Sequence, residues 1–350
     1  MTRGRAGVDR RLRVGACLSL SGEYARFGTQ AARGLEAWQS LDGAAELIIA
    51  DDSSDPGTLR AALPRIAAQC DVLLGPYSTR LARVAGRLAA RAGWLLWNHG
   101  GAGDDVGTAH LGHVVSVLAP ASRYAAPFLQ HLAATRCDVR LWVAHGRGSF
   151  GKQVAAGAEA SARQAGISTA RLGRDSVLPP PGPPGPWDLF SAGSFEEDVD
   201  IIGRARAARR PPRAVCAVAA GVREFGAAGL DARGVFGVGQ WFPGAAPAPE
   251  LGPAEAAFLA AYRARTGAVP DYPAVQAAAA ATLAAHCTRQ AGGSARDLLW
   301  AAALALDTRT MFGGFRIRPA DGLQVGHEAV LVRWSAQGPS LIEPGTEPAA

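Results

Sequence analysis

The segment Gly146–Gln153, GRGSFGKQ, is the part of the chain whose residue types and spacing best suit chemistry. It satisfies G-x-G-x-x-G, and it satisfies G-x-x-x-x-G-K up to the last position. Both patterns hold phosphate on backbone N–H groups at a helix N-terminus. Lys152, the only lysine, stands where a phosphate-binding lysine would sit. Position 153, however, is Gln153 rather than the Ser or Thr that would ligate magnesium. No second acidic strand motif follows to hold a metal, and for a dinucleotide the nearest acid is Asp175, on a poorly marked strand. A nucleotide-binding enzyme using Gly146–Lys152 is therefore the weaker reading. The stronger one is a glycine-rich strand-to-helix turn whose Ser149 and Phe150 face another ligand.

Other chemical constellations are thin. His110 and His113 are three apart but lie between a loop and a strand. The adjacent acids Asp51–Asp52, Asp104–Asp105 and Glu196–Glu197 point in different directions on any regular element and read as solvated or capping groups. No G-x-S-x-G elbow occurs. No catalytic set, metal site or cofactor is expected. What remains is a series of small, hydroxyl- or amide-rich loops: Ser19–Phe27, Gly75–Thr79, Asn98–Ala102, His145–Phe150, Ala219–Val222 and Gln240–Phe242. Ser78 and Thr79 fall at a helix start, where hydroxyls and free N–H groups suit a carboxylate or amide oxygen.

Alternating elements must position these loops. The strands expected are Arg13–Leu20, Glu46–Ala50, Val72–Leu74, Trp94–Asn98, Val114–Leu118, Val139–His145, Ala214–Val218 and Val235–Val238. Helical stretches such as Thr58–Gln69, Leu81–Arg91, Tyr124–Ala134 and Gln153–Ala165 lie between them. Near the N-terminus, the run Val14–Leu20 breaks into Ser21–Phe27 and restarts at Gly28 with Ala31, Leu35 and Trp38 at helical spacing. Such βα alternation argues for an α/β protein with doubly wound parallel sheets. The loop after a strand's carboxyl end is where ligands bind in such sheets. Pro120 marks a crossing to a second lobe and Ala245–Pro253 the return. Helices dominate Ala254–Ala305, and a hairpin-like piece follows: Phe315–Ile317, a turn at Asp321–Gly322, and Ala329–Trp334. Pro179–Pro186 reads as an exposed loop, and the tail from Ser340 as poorly ordered.

With 350 residues the chain is long enough for two domains. A hydrophobic content of 48% supports a buried core, and no apolar run approaches the roughly 20 residues that span a bilayer. The net charge of +6 comes from arginines scattered through many segments, without the aromatic-and-basic pattern of nucleic-acid binders. Neither nucleic-acid binding nor membrane insertion is expected. Five cysteines, Cys17, Cys70, Cys137, Cys216 and Cys287, lie far apart with no C-x-x-C, which argues against a disulfide framework or zinc ribbon.

The loops and their order resemble the type I periplasmic-binding-protein family, in particular the substrate-binding proteins of ABC transporters for branched-chain amino acids, amides and urea. The resemblance runs from about Arg13 to Trp334 through LSGEYARFG (Leu20–Gly28), ADDSSDP (Ala50–Pro56), LGPYST (Leu74–Thr79), FLAAYRARTGAVP (Phe258–Pro270) and FGGF with Gly322 (Phe312–Phe315). It implies two lobes joined by three crossovers, the third near Gly326, with one ligand in the cleft. On that pattern lobe 1 comprises 13–119 and 250–326, lobe 2 comprises 120–249 and 327–340, and 1–12 and 341–350 are flexible ends. The implied ligand contacts are Ser21, Tyr24, Phe27, Ser78, Thr79, Asn98, Gly100, Gly101 and Ala102 from lobe 1. Phe150, Gln240, Trp241, Tyr272 and Gln276 complete the set, with Phe150 and the Gln240–Trp241 loop closing over the ligand.

The resemblance implies capture of a small polar solute without catalysis, and an ABC permease as partner. A cytoplasmic ligand sensor of the same fold is the alternative. No apolar leader precedes the first strand, so the expected location is extracytoplasmic if a leader was removed or the start is mis-set, and cytoplasmic otherwise. Where amino-acid-binding members often carry an acid for the ligand ammonium, this chain has Gly239 and Gln240; where many carry tyrosine it has Phe27 and Phe150. A buried ammonium needs a compensating charge. Glu224 or Asp231 would have to supply it, or the ligand is an amide, a urea-like solute or an aromatic acid.

Overall fold

The computed structural model of the chain describes residues 11–43, 45–135, 139–173, 175–180 and 185–342. The first apolar run forms β1 (Leu12–Leu18), in which Val14, Ala16 and Leu18 are sealed from solvent. Then follow α1 (Ala25–Asp42), β2 (Ala45–Asp51), α2 (Pro56–Ala67), β3 (Val72–Leu74), α3 (Thr79–Ala92), β4 (Leu96–Asn98), α4 (Asp104–Thr108) and β5 (Val114–Ser116). The strands make a five-stranded parallel sheet in the order β2-β1-β3-β4-β5. In α1 the residues Ala31, Leu35 and Trp38 face the core, as their spacing requires. Asp55 caps α2 by accepting from Gly57 and Thr58 N–H, with Pro56 in the first turn.

The second sheet is built from α5 (Ala126–Ala134), β6 (Arg140–His145), α6 (Ser149–Gln164), β7 (Thr169–Leu172), β8 (Trp187–Ala192), α7 (Phe195–Ala207), β9 (Val215–Ala217) and β10 (Phe236–Gly239). The chain then forms α8 (Glu255–Thr266), α9 (Tyr272–Ala291) and α10 (Arg296–Leu304). It ends in β11 (Asp307–Thr310), β12 (Gly313–Arg316), β13 (Val330–Ser335) and β14 (Gly338–Leu341). The seven-stranded order is β14-β13-β10-β9-β8-β6-β7, parallel from β7 to β10 and antiparallel at β13 and β14.

The alanine-rich α9 returns to the first sheet, packing on α1, β3 and β4. Small residues make this possible: a Cβ on Gly34 of α1 would meet the Ala274 carbonyl oxygen at 2.2 Å. The chain passes between the sheets at 117–121, 240–254 and 317–329. Hydrogen bonds tie these passages together. Gln240 exchanges both amide ends with the backbone of Ala119, His327 Nε2 meets the Gln240 carbonyl at 2.8 Å, and Trp241 Nε1 donates to Met311 O.

Several local expectations change. β7 and β8 were not legible as strands. β7 exposes polar residues at the sheet edge, and β8 contains Asp188, buried against Arg213 at 2.6 Å. Phe315–Ile317 and Ala329–Trp334 do not pair with each other. β12 pairs with β11, and β13 joins the large sheet beside β10. The turn at Asp321–Gly322 does form, closed by Arg318 on Asp321 at 2.6 Å. Ser340 lies in β14 opposite Arg333, and Leu12 and Leu341, placed in the flexible ends by sequence, are strand residues. Residues 1–10, 343–350 and 181–184 of the proline-rich loop lie outside the described residues, as does Cys137. The other cysteines are free thiols, with Cys17 and Cys216 fully buried in strands as small apolar groups.

Candidate functional site

The carboxyl ends of both parallel sheets face a common cleft with a cavity of about 350 Å³. The loops that line it leave β1, β3 and β4 on one side and β6, β8 and β9 on the other. That volume is at the small end of ligand pockets and admits one small molecule.

The floor comes from the first sheet. Ser78 caps α3 by accepting from Leu81 N–H, with its own backbone at φ +77°, an unusual conformation for a residue with a Cβ. Ser78 N–H donates to Gly100 O. The Thr79 N–H, at the first helical position, has no acceptor within the helix. The Thr79 hydroxyl accepts from Gly103 N–H at 3.0 Å and retains its own proton to donate. Thr79 is buried and lines the cavity together with Ser78, Gly100 and Ala102. A helix N-terminus with a hydroxyl at its mouth suits an anion or a carbonyl oxygen.

Behind this floor, Asn98 is fully buried. Its Oδ1 accepts from Gly100 and Gly101 N–H, and its Nδ2 donates to Gly101 O and Ser116 Oγ. It shapes the loop without lining the cavity.

Aromatic rings form the walls. Phe27 stacks on Tyr77 with centroids 4.6 Å apart, and Tyr124 meets Phe150 edge-on at 5.3 Å. Tyr77 and Tyr272 share a hydrogen bond between hydroxyls at 3.3 Å. Burial pushes the phenols of Tyr77, Tyr124 and Tyr272 up, so they remain neutral hydrogen-bonding groups. The hydroxyls absent from Phe27 and Phe150 are thus carried by the rings they touch. Sequence reasoning missed Tyr77 and Tyr124, although Tyr77 sits within the quoted LGPYST segment.

The cavity's acids are all engaged. Glu23 lies 3.9 Å from Arg80, Glu196 pairs with Arg26 at 2.5 Å, and Glu197 accepts from Ser194 N–H at 2.9 Å. Arg26, from α1, also reaches Glu224 at 3.3 Å and lies 4.6 Å over the Phe195 ring. It therefore bridges the two walls at the rim. A second bridge joins α3 and α4 to α6. Arg83 donates to Ser149 Oγ at 2.7 Å and pairs with Asp105, whose Oδ1 also accepts from Gln153 Nε2 at 3.0 Å. Glu224 and Asp231, the sequence candidates for an ammonium partner, are committed elsewhere: Asp231 holds Arg233 at 2.9 Å, and neither lines the cavity.

The glycine-rich turn proves to be packing and wall. A Cβ on Gly151 would meet Ala192 O at 2.2 Å, so α6 sits directly against the end of β8. Lys152 is exposed and does not line the cleft cavity; it borders a neighbouring hollow with His145 and Leu172 that adjoins the cleft at Gly146 and Arg147. Gln153, the departure from the phosphate motif, spends its amide on Asp104 N–H and Asp105. Among the described residues no group of three or more His, Cys, Asp or Glu could hold a metal ion.

Of the residues named from sequence, Tyr24, Phe27, Ser78, Thr79, Gly100 and Ala102 meet at the cavity, as do Phe150, Tyr272 and Gln276. Five do not. Ser21 turns outward to Asp51 Oδ2 at 2.6 Å, Asn98 and Gly101 stand behind the floor, and Gln240 and Trp241 are consumed in the crossover bonds. The Gln240–Trp241 loop spends its polar side-chain atoms on backbone and does not line the cavity. The opposite wall comes instead from Gly146, Gly148, Ser194, Phe195, Ala219 and Val222. Gly146, Gly148, Ala219 and Val222 fall in loops singled out from sequence, whereas Ser194 and Phe195 do not.

A sequence model described as periplasmic binding protein matches residues 11–183 and 189–339. The chain belongs to the periplasmic-binding-protein family and has its type I fold. Among solved structures it is similar to a leucine-binding protein of Thermotoga maritima (15% identity, 95% of this chain and 98% of that one, TM-score 0.76). It is also similar to an ABC-transporter solute-binding protein of R. palustris in complex with benzoate (18% identity, 95% of each chain, TM-score 0.75). A branched-chain amino acid transporter substrate-binding protein of Streptococcus pneumoniae in complex with isoleucine is a third (15% identity, 95% and 100%, TM-score 0.75). The search of curated proteins found no match. The protein is a solute-binding protein of the ABC-transporter kind. No helix among the described residues is long and apolar enough to cross a membrane.

Proposed function

We propose that the protein captures a small carboxylate with an aromatic or apolar body and presents it to an ABC permease, without catalysis. The observation that carries this reading is the state of the cavity's acids. Glu196 and Glu197 already face Arg26 and Ser194 N–H, and Glu23 lies 3.9 Å from Arg80, so a ligand ammonium would have to share an acid already in use. The α3 N-terminus and the Thr79 hydroxyl supply donors for a carboxylate, and the rings of Phe27, Tyr77, Phe150 and Tyr124 supply apolar faces for its body. The R. palustris relative was solved with benzoate and the Streptococcus relative with isoleucine, so the fold accommodates both kinds of ligand. In this chain the polar inventory favours the first kind. Capture proceeds by hinge closure about the three tied passages, with Arg26 and Arg83 bridging the walls in the closed form.

A thermal-shift screen tests this. Ligands that bind only the folded chain raise its melting temperature as their concentration exceeds Kd. Aromatic and short aliphatic carboxylates are expected to raise it, and leucine and isoleucine are not. Tighter binding of the α-amino acids than of their deaminated analogues would overturn the reading. A shift seen only with magnesium nucleotides, abolished by Lys152→Ala, would replace it with an enzyme.

A further inference from the structure

Gln276 stands apart from the other buried glutamines. Gln240 uses both ends of its amide on Ala119, and Gln324 accepts from Arg316 and Gly326 N–H while donating to Gly314 O. Gln276 lies one helical turn after Tyr272 on α9, on the same face, and lines the cavity. It is 1% exposed, and its Oε1 is buried with no hydrogen-bond partner in the protein. A buried acceptor without a partner is unfavourable, and an apolar side chain of that size would fill the space without the penalty. The neighbouring hydroxyls of Tyr77 and Tyr272 are bonded to each other.

We propose that Gln276 is a specificity residue selecting, among small carboxylates, one whose body carries a hydroxyl group that donates to Gln276 Oε1. This rests on the carboxylate reading above. An uncharged amide oxygen matches a neutral donor, whereas an ammonium here would still lack a counter-charge. A site with a polar group awaiting its partner rejects the analogue that lacks it more strongly than a hydrophobic wall rejects a change of size.

The test is titration calorimetry on the full chain with benzoate, the three monohydroxybenzoates and their methoxy counterparts. One hydroxybenzoate is expected to bind about 10-fold more tightly than benzoate, and its methoxy counterpart, an acceptor only, is not. Gln276→Met should abolish the preference, so that the variant binds that hydroxybenzoate and benzoate with equal affinity. Equal binding of benzoate, or of a methoxy acid, by the wild-type chain overturns the assignment without any variant, as does a 10-fold preference that survives Gln276→Met. Benzoate binding without preference removes only the role of Gln276. Failure of every aromatic acid while α-amino acids bind removes the carboxylate reading, and this proposal with it.

Discussion

Two buried side chains, Asn98 and Asp198, do the same job on opposite walls of the cleft with different chemistry. Asn98 ends β4 and holds the Gly100–Gly101 turn with a neutral amide that both donates and accepts. Asp198, in the first turns of α7, holds the loops after β8 and β9. It accepts from Ser191 Oγ at 2.6 Å, Gly193 N–H at 2.8 Å and Ala219 N–H at 3.0 Å. Both are fully buried. The amide is indifferent to pH. The carboxyl is pushed up to about 6 by burial, against the pull of its three donors. One wall is thus fixed by a group that does not titrate, and the other by one that does. The first wall carries the start of α3 with Ser78 and Thr79, and the second carries Phe150 and Phe195.

The largest effect expected is from Asn98→Leu. It strips the acceptor from Gly100 and Gly101 N–H inside the core, and should cost about 3–5 kcal/mol of stability in urea unfolding and abolish ligand binding. A variant that still bound normally would show that the floor keeps its shape without the amide.

Asp198→Asn should cost less, about 1–3 kcal/mol at pH 7, because the new amide aims a donor at a backbone N–H. Its signature is the pH dependence. The folded carboxyl titrates near 6 and the unfolded one near 3.8, so between these values the folded chain holds the extra proton. The stability from this group is present in full below about 3.8 and is lost as pH rises to about 6. The gap between wild type and variant should narrow across that window and stay constant above it. A gap that widened would reverse the assigned direction.

Thr79→Val keeps shape and removes a hydroxyl from the floor. An affinity loss of about 1–2 kcal/mol is expected in calorimetry. An unchanged Kd would leave Thr79 as a loop-bracing residue only. Smallest is Arg26→Gln at the rim. Its side chain is 29% exposed and its partners Glu196 and Glu224 more so, which limits the loss to below about 1 kcal/mol. That loss should fall mainly on the dissociation rate, since the bridge exists between closed walls.

The two walls were unequally legible. Ser78 and Thr79 were named from sequence because helix-start chemistry is local: they follow a short apolar strand, where a hydroxyl caps the helix and stands beside its free N–H groups. On the opposite wall the loops His145–Phe150 and Ala219–Val222 were singled out, but Phe150 was the ligand contact named there that lines the cavity. Ala219 and Val222 line the cavity through where β9 ends, and Phe195 through where α7 begins. Alternation likewise announced the parallel sheets, yet β8 escaped because Asp188 interrupts its apolar pattern and is paired by Arg213, just before β9.

The sequence by itself determined the class of fold, the strand-loop-helix at Arg13–Trp38 and the anion-suited start of α3, since these follow from periodicity, capping and turn chemistry within a few residues. Only the tertiary structure decided what each polar group had left to give. Gln240 and Gln276 are the same residue type, and both were named as ligand contacts. Gln240 meets the backbone of Ala119, far away in the chain, and is spent. Gln276 lines the cavity, and its Oε1 meets no partner in the protein. A hydrogen bond is satisfied by whatever the fold brings within about 3 Å, and no local pattern records that.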